Sequence, residues 1–255
     1  SYRDDLVDDV RGYIAANHVT PTAAAPPVSS ELFALGQALS FDKILSGNQD
    51  ISCLTCHHPS VGTDDDRALP LGTGGTGLGP ERTGGHIIPR NAPSLFNLHE
   101  FDTMFWDSRV TADGAGGFNT PAGAQLTPAM EAVFDFGIVS AQAMFPVTSR
   151  EEMRGQLGEN PIADLADNDF TGIWSALMQR LGNIPAYVAM FEAAYPGTDF
   201  EDMSFAHAAN AIAAFEVSAF AALDSPWERF VAGDDDALSY LQLKGATKFF
   251  EAGWA

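Results

Sequence analysis

The segment Cys53-Leu54-Thr55-Cys56-His57 holds the only two cysteines of this 255-residue chain, with a histidine directly after the second. The pattern is C-x-x-C-H, the attachment signal of c-type haem. Two intervening residues let both sulfurs reach one face of the porphyrin and form thioethers with its vinyl groups. The next residue then brings an imidazole beneath the iron. A Cys53–Cys56 disulfide would leave His57 without a part. A thioredoxin-like pair belongs between a strand and a helix in a βαβ pattern, which the flanking sequence lacks. A zinc site would need a second ligand pair, and no second cysteine pair exists. The expectation is one haem c on Cys53 and Cys56, with His57 as the proximal iron ligand.

Outward from the motif, hydrophobic periodicity predicts helices. Residues 3–17 set Leu6, Val7, Val10 and Ile14 on one stripe, and residues 18–29, rich in Pro, Ala and Thr, form a linker or wrapping arm. Ser30 is placed to cap a helix over 31–41. Residues 62–93 are predicted as loop. They contain Gly72-Thr73-Gly74-Gly75-Thr76-Gly77-Leu78-Gly79-Pro80, which is no phosphate loop because Gly-Lys-Ser/Thr does not follow. Close backbone approach to a flat cofactor is its expected use. Asp64-Asp65-Asp66 reads as a solvated turn, since the spacing of a calcium loop is absent. Thr148 or Ser149 is placed to cap a helix through Glu151, Glu152 and Met153. Helices follow over 171–181, 185–194, 204–222 and from near Asp236 to Phe250. No period-2 strand of useful length is found. The fold class is mostly α, with cytochrome c-like haem domains and long haem-wrapping loops.

Hydrophobic residues make up 45% of the chain, enough for a substantial core. No apolar run approaches the roughly eighteen residues of a membrane span. Asp and Glu number 34 against 13 Lys and Arg, a net charge of −21. Such a surface repels nucleic acid and anionic lipid. It suits a basic electron-donor protein, or is a solubility adaptation. Ser1-Tyr2-Arg3-Asp4-Asp5 lacks a charged-then-apolar leader. The expectation is an exported, periplasmic protein whose signal peptide has been removed.

Six segments in order resemble the bacterial di-haem cytochrome c peroxidase superfamily, which includes the MauG enzymes that modify protein side chains. They are Leu45-Ser46-Gly47-Asn48 ahead of the haem motif; Pro89-Arg90-Asn91-Ala92-Pro93-Ser94-Leu95-Phe96-Asn97; Phe105-Trp106-Asp107-Ser108-Arg109; Gln142-Ala143-Met144-Phe145-Pro146-Val147 followed by Glu152-Met153; Ile184-Pro185-Ala186-Tyr187 with Phe191 and Ala194-Tyr195-Pro196; and the helix from Ala208 to Phe220.

The resemblance implies a set of roles. His57 is the proximal ligand of the N-terminal, peroxide-reacting haem. Gln142, Pro146 and Glu152 line its distal face, and Glu152 is the acid–base group that moves a proton between the peroxide oxygens. Read without the family, Glu152 is a first-turn helix glutamate that favours the dipole. Trp106 lies between two haems, or is a buried core tryptophan. Asn91 is a calcium ligand. Activation-dependent relatives carry a distal histidine where this chain has Gly72 to Gly79, so either His86 takes that part or the iron face is open at rest, and the open site is the expectation. His58, His99 and His207 are expected to be surface or hydrogen-bonded histidines.

The implied architecture is an N-terminal helix and linker arm (1–28), a peroxidatic haem domain (29–165) and the start of a second cytochrome c-like domain (166–255). The second C-x-x-C-H, and with it a second haem, is expected beyond Ala255, on a continuation or on a companion chain; a homodimer is also compatible. The implied activity is reduction of hydrogen peroxide with electrons from a small cytochrome c or cupredoxin. A MauG-like oxidation of Trp or Tyr in a partner protein is the alternative. A non-catalytic electron carrier, with Met104, Met130 or Met144 completing the iron coordination, is the reading from another class.

Overall fold

The structure is a computed structural model and describes residues 2–253. Helices run over Tyr2–Ala16 (α1), Ser30–Phe41 (α2), Cys53–Cys56 (α3), Pro128–Glu131 (α4), Ile138–Ala143 (α5), Phe170–Gly182 (α6), Pro185–Ala194 (α7), Phe205–Ala219 (α8), Pro226–Val231 (α9) and Tyr240–Glu251 (α10). The strands are two or three residues long. Gly75–Thr76 (β1) pairs antiparallel with Thr83–Gly84 (β2), inside the stretch expected to be loop. Thr103–Met104 (β3), Val110–Ala112 (β4) and Phe118–Asn119 (β5) form a small meander. The mostly α expectation stands, and no helix among the described residues is long and apolar enough to cross a membrane.

Contacts divide the chain into two compact units, Ala25–Phe220 and a second made from residues up to Ala24 with those from Ala221 onward. These boundaries differ from the expected 1–28, 29–165 and 166–255. The reason lies in α8. It is largely apolar and buried over most of its circumference, with Ala206, Ala208, Ala209, Ala211, Ala213 and Ala214 fully buried, and such a helix must be surrounded. Helices α2 and α5 are its main neighbours. A Cβ at Gly36 would lie 1.8 Å from the Ala211 carbonyl oxygen, so α2 and α8 touch backbone to backbone. Buried Asn210 joins α8 to α5: its Oδ1 accepts from Asp135 N and Ser140 Oγ at 2.9 Å each, and its Nδ2 donates to Asp135 Oδ2 at 3.0 Å.

In the other unit, Leu6, Val7, Val10 and Ile14 of α1 bury against Phe230, Leu238 and Leu243. The expected N-terminal helix is therefore a core element of that unit. An apolar cavity of about 520 Å³ opens there, lined by Pro226, Trp227, Leu238, Ala246, Phe249 and Phe250 among others.

Element ends differ from expectation for local reasons. Ser29, not Ser30, caps α2, accepting from Leu32 N at 3.2 Å. Helix α8 stops at Ala219 because Phe220 leaves helical geometry. The last helix starts at Tyr240, where Ser239 and Gln242 form a reciprocal capping box.

Candidate haem site

The haem motif is one helical turn. Ser52 N donates to Thr55 Oγ1 at 3.0 Å and opens it, and His57 closes it with its N–H on Cys53 O at 3.1 Å. One turn presents Cys53 and Cys56 together. Both are free thiols and half-buried. Burial, then Glu216, pushes the Cys53 thiol up to about 12; burial, then Asp65, does the same for Cys56. Such thiols lack the thiolate character of a redox-active pair.

His57 is fixed by a residue that the sequence did not single out. Thr63, at φ +62°, offers its carbonyl to His57 Nδ1 at 3.1 Å. A carbonyl only accepts, so Nδ1 carries the proton and Nε2 keeps its lone pair, the arrangement wanted in an iron ligand. Burial lowers the ring's proton affinity and keeps it neutral. Thr63 Oγ1 also meets Ser94 Oγ at 3.0 Å and accepts from Leu95 N at 2.7 Å. The Asn91–Asn97 stretch is thereby tied to the imidazole.

Glu152 sits in an unusual turn. Residues Arg150–Arg154 form a single π-turn rather than the expected helix start: the N–H of Arg154 reaches Ser149 O at 2.9 Å and that of Gly155 reaches Arg150 O at 3.1 Å. Such i→i+5 turns concentrate at functional sites. Ser149 is the cap, its Oγ accepting from Glu152 N at 3.4 Å. Glycines grip the turn from both sides. A Cβ at Gly47 would lie 1.9 Å from Arg154 O, and one at Gly72 would lie 1.7 Å from Glu151 O. The glycine-rich run makes a close approach to this turn at Gly72.

Burial pushes the Glu152 carboxyl up to about 7, opposed by the Arg109 guanidinium and the Ser149 hydroxyl and reinforced by Glu151. Its charge is felt at both Cys53 and Cys56, so it lies within electrostatic reach of both. Arg109 stacks over the Phe105 ring at 3.7 Å. Gln142 on α5 and Pro146, which opens the 3-10 turn Pro146–Thr148, are half-buried on the same continuous segment as Glu152.

The other expected site residues differ in their surroundings. Trp106 is 84% exposed and is no core residue. Asn91 is exposed. His86 bonds through its backbone to Gly72 and Thr73, the loop residues that pack on the Glu152 turn, and its charge is felt by Glu159. Met104 and Met144 are buried in the core cluster, and the Met144 carbonyl accepts from Trp174 Nε1 at 2.8 Å. His58 and His207 hydrogen-bond locally to Ser60 and Ser204.

The donor set fits a haem. Beyond the two thiols and the imidazole, buried polar atoms stand without a protein partner at Asp65 Oδ2, Arg67 Nε and Glu216 Oε2. Two of these, Asp65 and Glu216, act electrostatically on the cysteines. Buried orphan atoms mark a place where a polar ligand or water belongs.

The sequence profile of the di-haem cytochrome c peroxidase family matches residues 30–236. The chain belongs to that family. Among the peroxidases, it is 30% identical to the cytochrome c551 peroxidase of Pseudomonas aeruginosa over 229 residues, covering 89% of this chain and 50% of that protein. Identity to the methylamine utilization protein MauG of Methylorubrum extorquens is 27%, covering 90% and 49%. The fold is also that of solved di-haem relatives. A MauG-like protein associated with microbial copper homeostasis gives a TM-score of 0.59 at 24% identity, covering 91% of this chain and 52% of that one. The di-haem peroxidase BthA of Burkholderia thailandensis gives 0.58 at 21%, covering 91% and 49%. The chain spans about half the length of the family members it matches.

Glu216 also makes a prediction within this family site. Burial alone pushes its carboxyl up to about 8. A raised carboxyl holds its proton in the folded state where the unfolded chain has lost it. Stability is then fully present below the ordinary glutamate range and falls as pH rises toward 8. Glu216→Gln is expected to flatten that fall, giving a higher Tm than the parent at pH 9 and a similar one at pH 4. Melting curves across this range check it.

Proposed function

We propose that this chain forms the peroxidatic part of a haem c peroxidase that reduces hydrogen peroxide to two waters, with two electrons from an external donor and two protons. The observation that carries this reading is Glu152, a carboxyl pushed up to about 7 on a π-turn within electrostatic reach of both haem-attachment cysteines. When bound, haem c would be held by Cys53, Cys56 and His57 and would supply redox chemistry for the reduction of peroxide. His57 Nε2 is the iron ligand, oriented through Nδ1. The Glu152 carboxylate takes the proton from the near peroxide oxygen and returns it to the far one, so that water can leave. Arg109 holds Glu152 partly in its ionised form. Gln142 and Pro146 complete the distal wall and limit water.

Electrons would reach this haem through a second one. The apolar cavity between α9 and α10 supports the view that a second haem domain begins in that unit. The exposed Trp106 ring is suited to carry electrons to a neighbour. A small basic cytochrome c or cupredoxin matches the −21 surface, and a periplasmic location follows from c-type maturation. A second reading, MauG-like oxidation of a partner's Trp or Tyr, is supported by the 27% identity to a methylamine utilization protein MauG. Haem-loaded protein should consume peroxide with reduced donor in a ratio of one peroxide to two electrons. Peroxide-dependent gain of oxygen in a partner side chain, without donor oxidation, would move the assignment to the second reading. Electron transfer without peroxide loss would leave a carrier.

A further inference from the structure

Arg82 has no part in the chemistry above, yet it organises the glycine-rich loop. It is 3% exposed, and among the described residues it has no ion-pair partner. Its Nε donates to Leu71 O at 2.6 Å, Nη2 to Gly72 O at 2.6 Å and Nη1 to Gly77 O at 3.0 Å. The planar fork of arginine can satisfy three carbonyls at once, and lysine cannot reproduce it. A Cβ on Gly75 would lie 2.8 Å from Arg82 Cζ and Nη2, so the loop wraps tightly over the guanidinium. Asp50 and Asp65 balance the charge at longer range.

The far side of the same loop is built onto the Glu152 turn. Thr73 N donates to Glu151 O at 3.1 Å, and Thr73 Oγ1 donates to Arg150 O at 3.2 Å. Gly72 N and His86 O close the loop's base at 2.8 Å. A loop this rich in glycine loses more chain entropy on ordering than any other sequence would. Burying an arginine without a carboxylate is also unfavourable unless its hydrogen bonds are met. Both costs are offset only if the ordered loop is needed.

We propose that Arg82 is a positioning residue for Glu152: its guanidinium sets residues 71–77 as a rigid wall, and that wall holds the 150–154 turn so that the Glu152 carboxyl stays shielded from water. The proposal rests on the Glu152 assignment above, and its test is independent of peroxide turnover.

Infrared spectra of haem-loaded protein report the Glu152 carboxylic acid as the band lost in Glu152→Gln. Its titration is followed in Gly75→Ala, which presses a methyl onto the guanidinium, and in Thr73→Val, which removes only the Thr73 Oγ1 bond to the turn. Both variants are expected to lower the midpoint by about one pH unit or more as water reaches the carboxyl. The amide of residue 73 should exchange at least about tenfold faster. Should Gly75→Ala fail to load haem, Thr73→Val decides alone. A haem-loaded variant that keeps the parental midpoint and exchange rate overturns the proposal, even if its Tm falls, since a merely structural role would lower Tm alone. If Glu152 proves dispensable for peroxide reduction while these shifts occur, the functional reading fails and the positioning role stands.

Discussion

Glu152→Gln is expected to slow peroxide reduction by about 10²- to 10⁴-fold, the usual contribution of a positioned proton-transfer group, while haem attachment and Tm stay close to the parent. Glutamine keeps the shape and the hydrogen bond from Ser149, but cannot take a proton. The pH profile gives a second signature. With the carboxyl pushed up to about 7, the ionised form that accepts the proton fills in as pH rises through 7. Parental activity should therefore climb across that range, and the glutamine variant should lose this limb. Glu151 is the control. It is exposed and its backbone carbonyl faces Gly72, so Glu151→Gln should stay within about twofold. Rapid-mixing rates with peroxide from pH 5 to pH 9 measure both. Equal losses in the two variants would remove Glu152 from the proposed role.

Gly36→Ala is expected to be the most damaging single methyl in the helical core. The added carbon would sit 1.8 Å from the Ala211 carbonyl oxygen and 2.9 Å from Phe215 Cβ. The nearest obstacle is helix backbone rather than a side chain that can swing away. Accommodation would require α2 to lift off α8, opening the site of Asn210 and Glu216, both buried on α8. Overpacking of this kind typically costs about 1–3 kcal/mol and occasionally more, and this site belongs at the upper end. Gly12 in α1 provides the contrast, since a Cβ added there would meet nothing within 4 Å. Gly12→Ala should be neutral or stabilise by roughly 0.5–1 kcal/mol through helix propensity. Denaturant melts of the two variants separate packing from propensity.

Much of this was legible in the sequence because the signals are local. Helix periodicity located the long helices to within a few residues, and C-x-x-C-H presents two thiols and an imidazole from one turn. The grouping of the helices was not legible. Burial of α1 against Phe230, Leu238 and Leu243 depends on contacts more than two hundred residues apart in the chain, and no periodicity encodes a partner. The π-turn was missed because a capped Ser-x-x-Glu start looks the same whether i→i+4 or i→i+5 bonds follow. Thr63 and Arg82 were missed for a related reason. Their importance lies in carbonyl groups, which every residue type supplies. Gly36, Gly47, Gly72 and Gly75 were visible as glycines, but only the folded chain shows that each faces a backbone or a guanidinium.

The most direct measurement is the covalent state of Cys53 and Cys56 in protein matured by a host that attaches c-type haem. Mass mapping is predicted to recover the peptide containing Cys53-Leu54-Thr55-Cys56-His57 with one haem joined to both cysteines. Recovery of the same peptide with two free or disulfide-paired cysteines, from a host that loads another c-type cytochrome in parallel, would contradict a haem at this site and every role assigned around it.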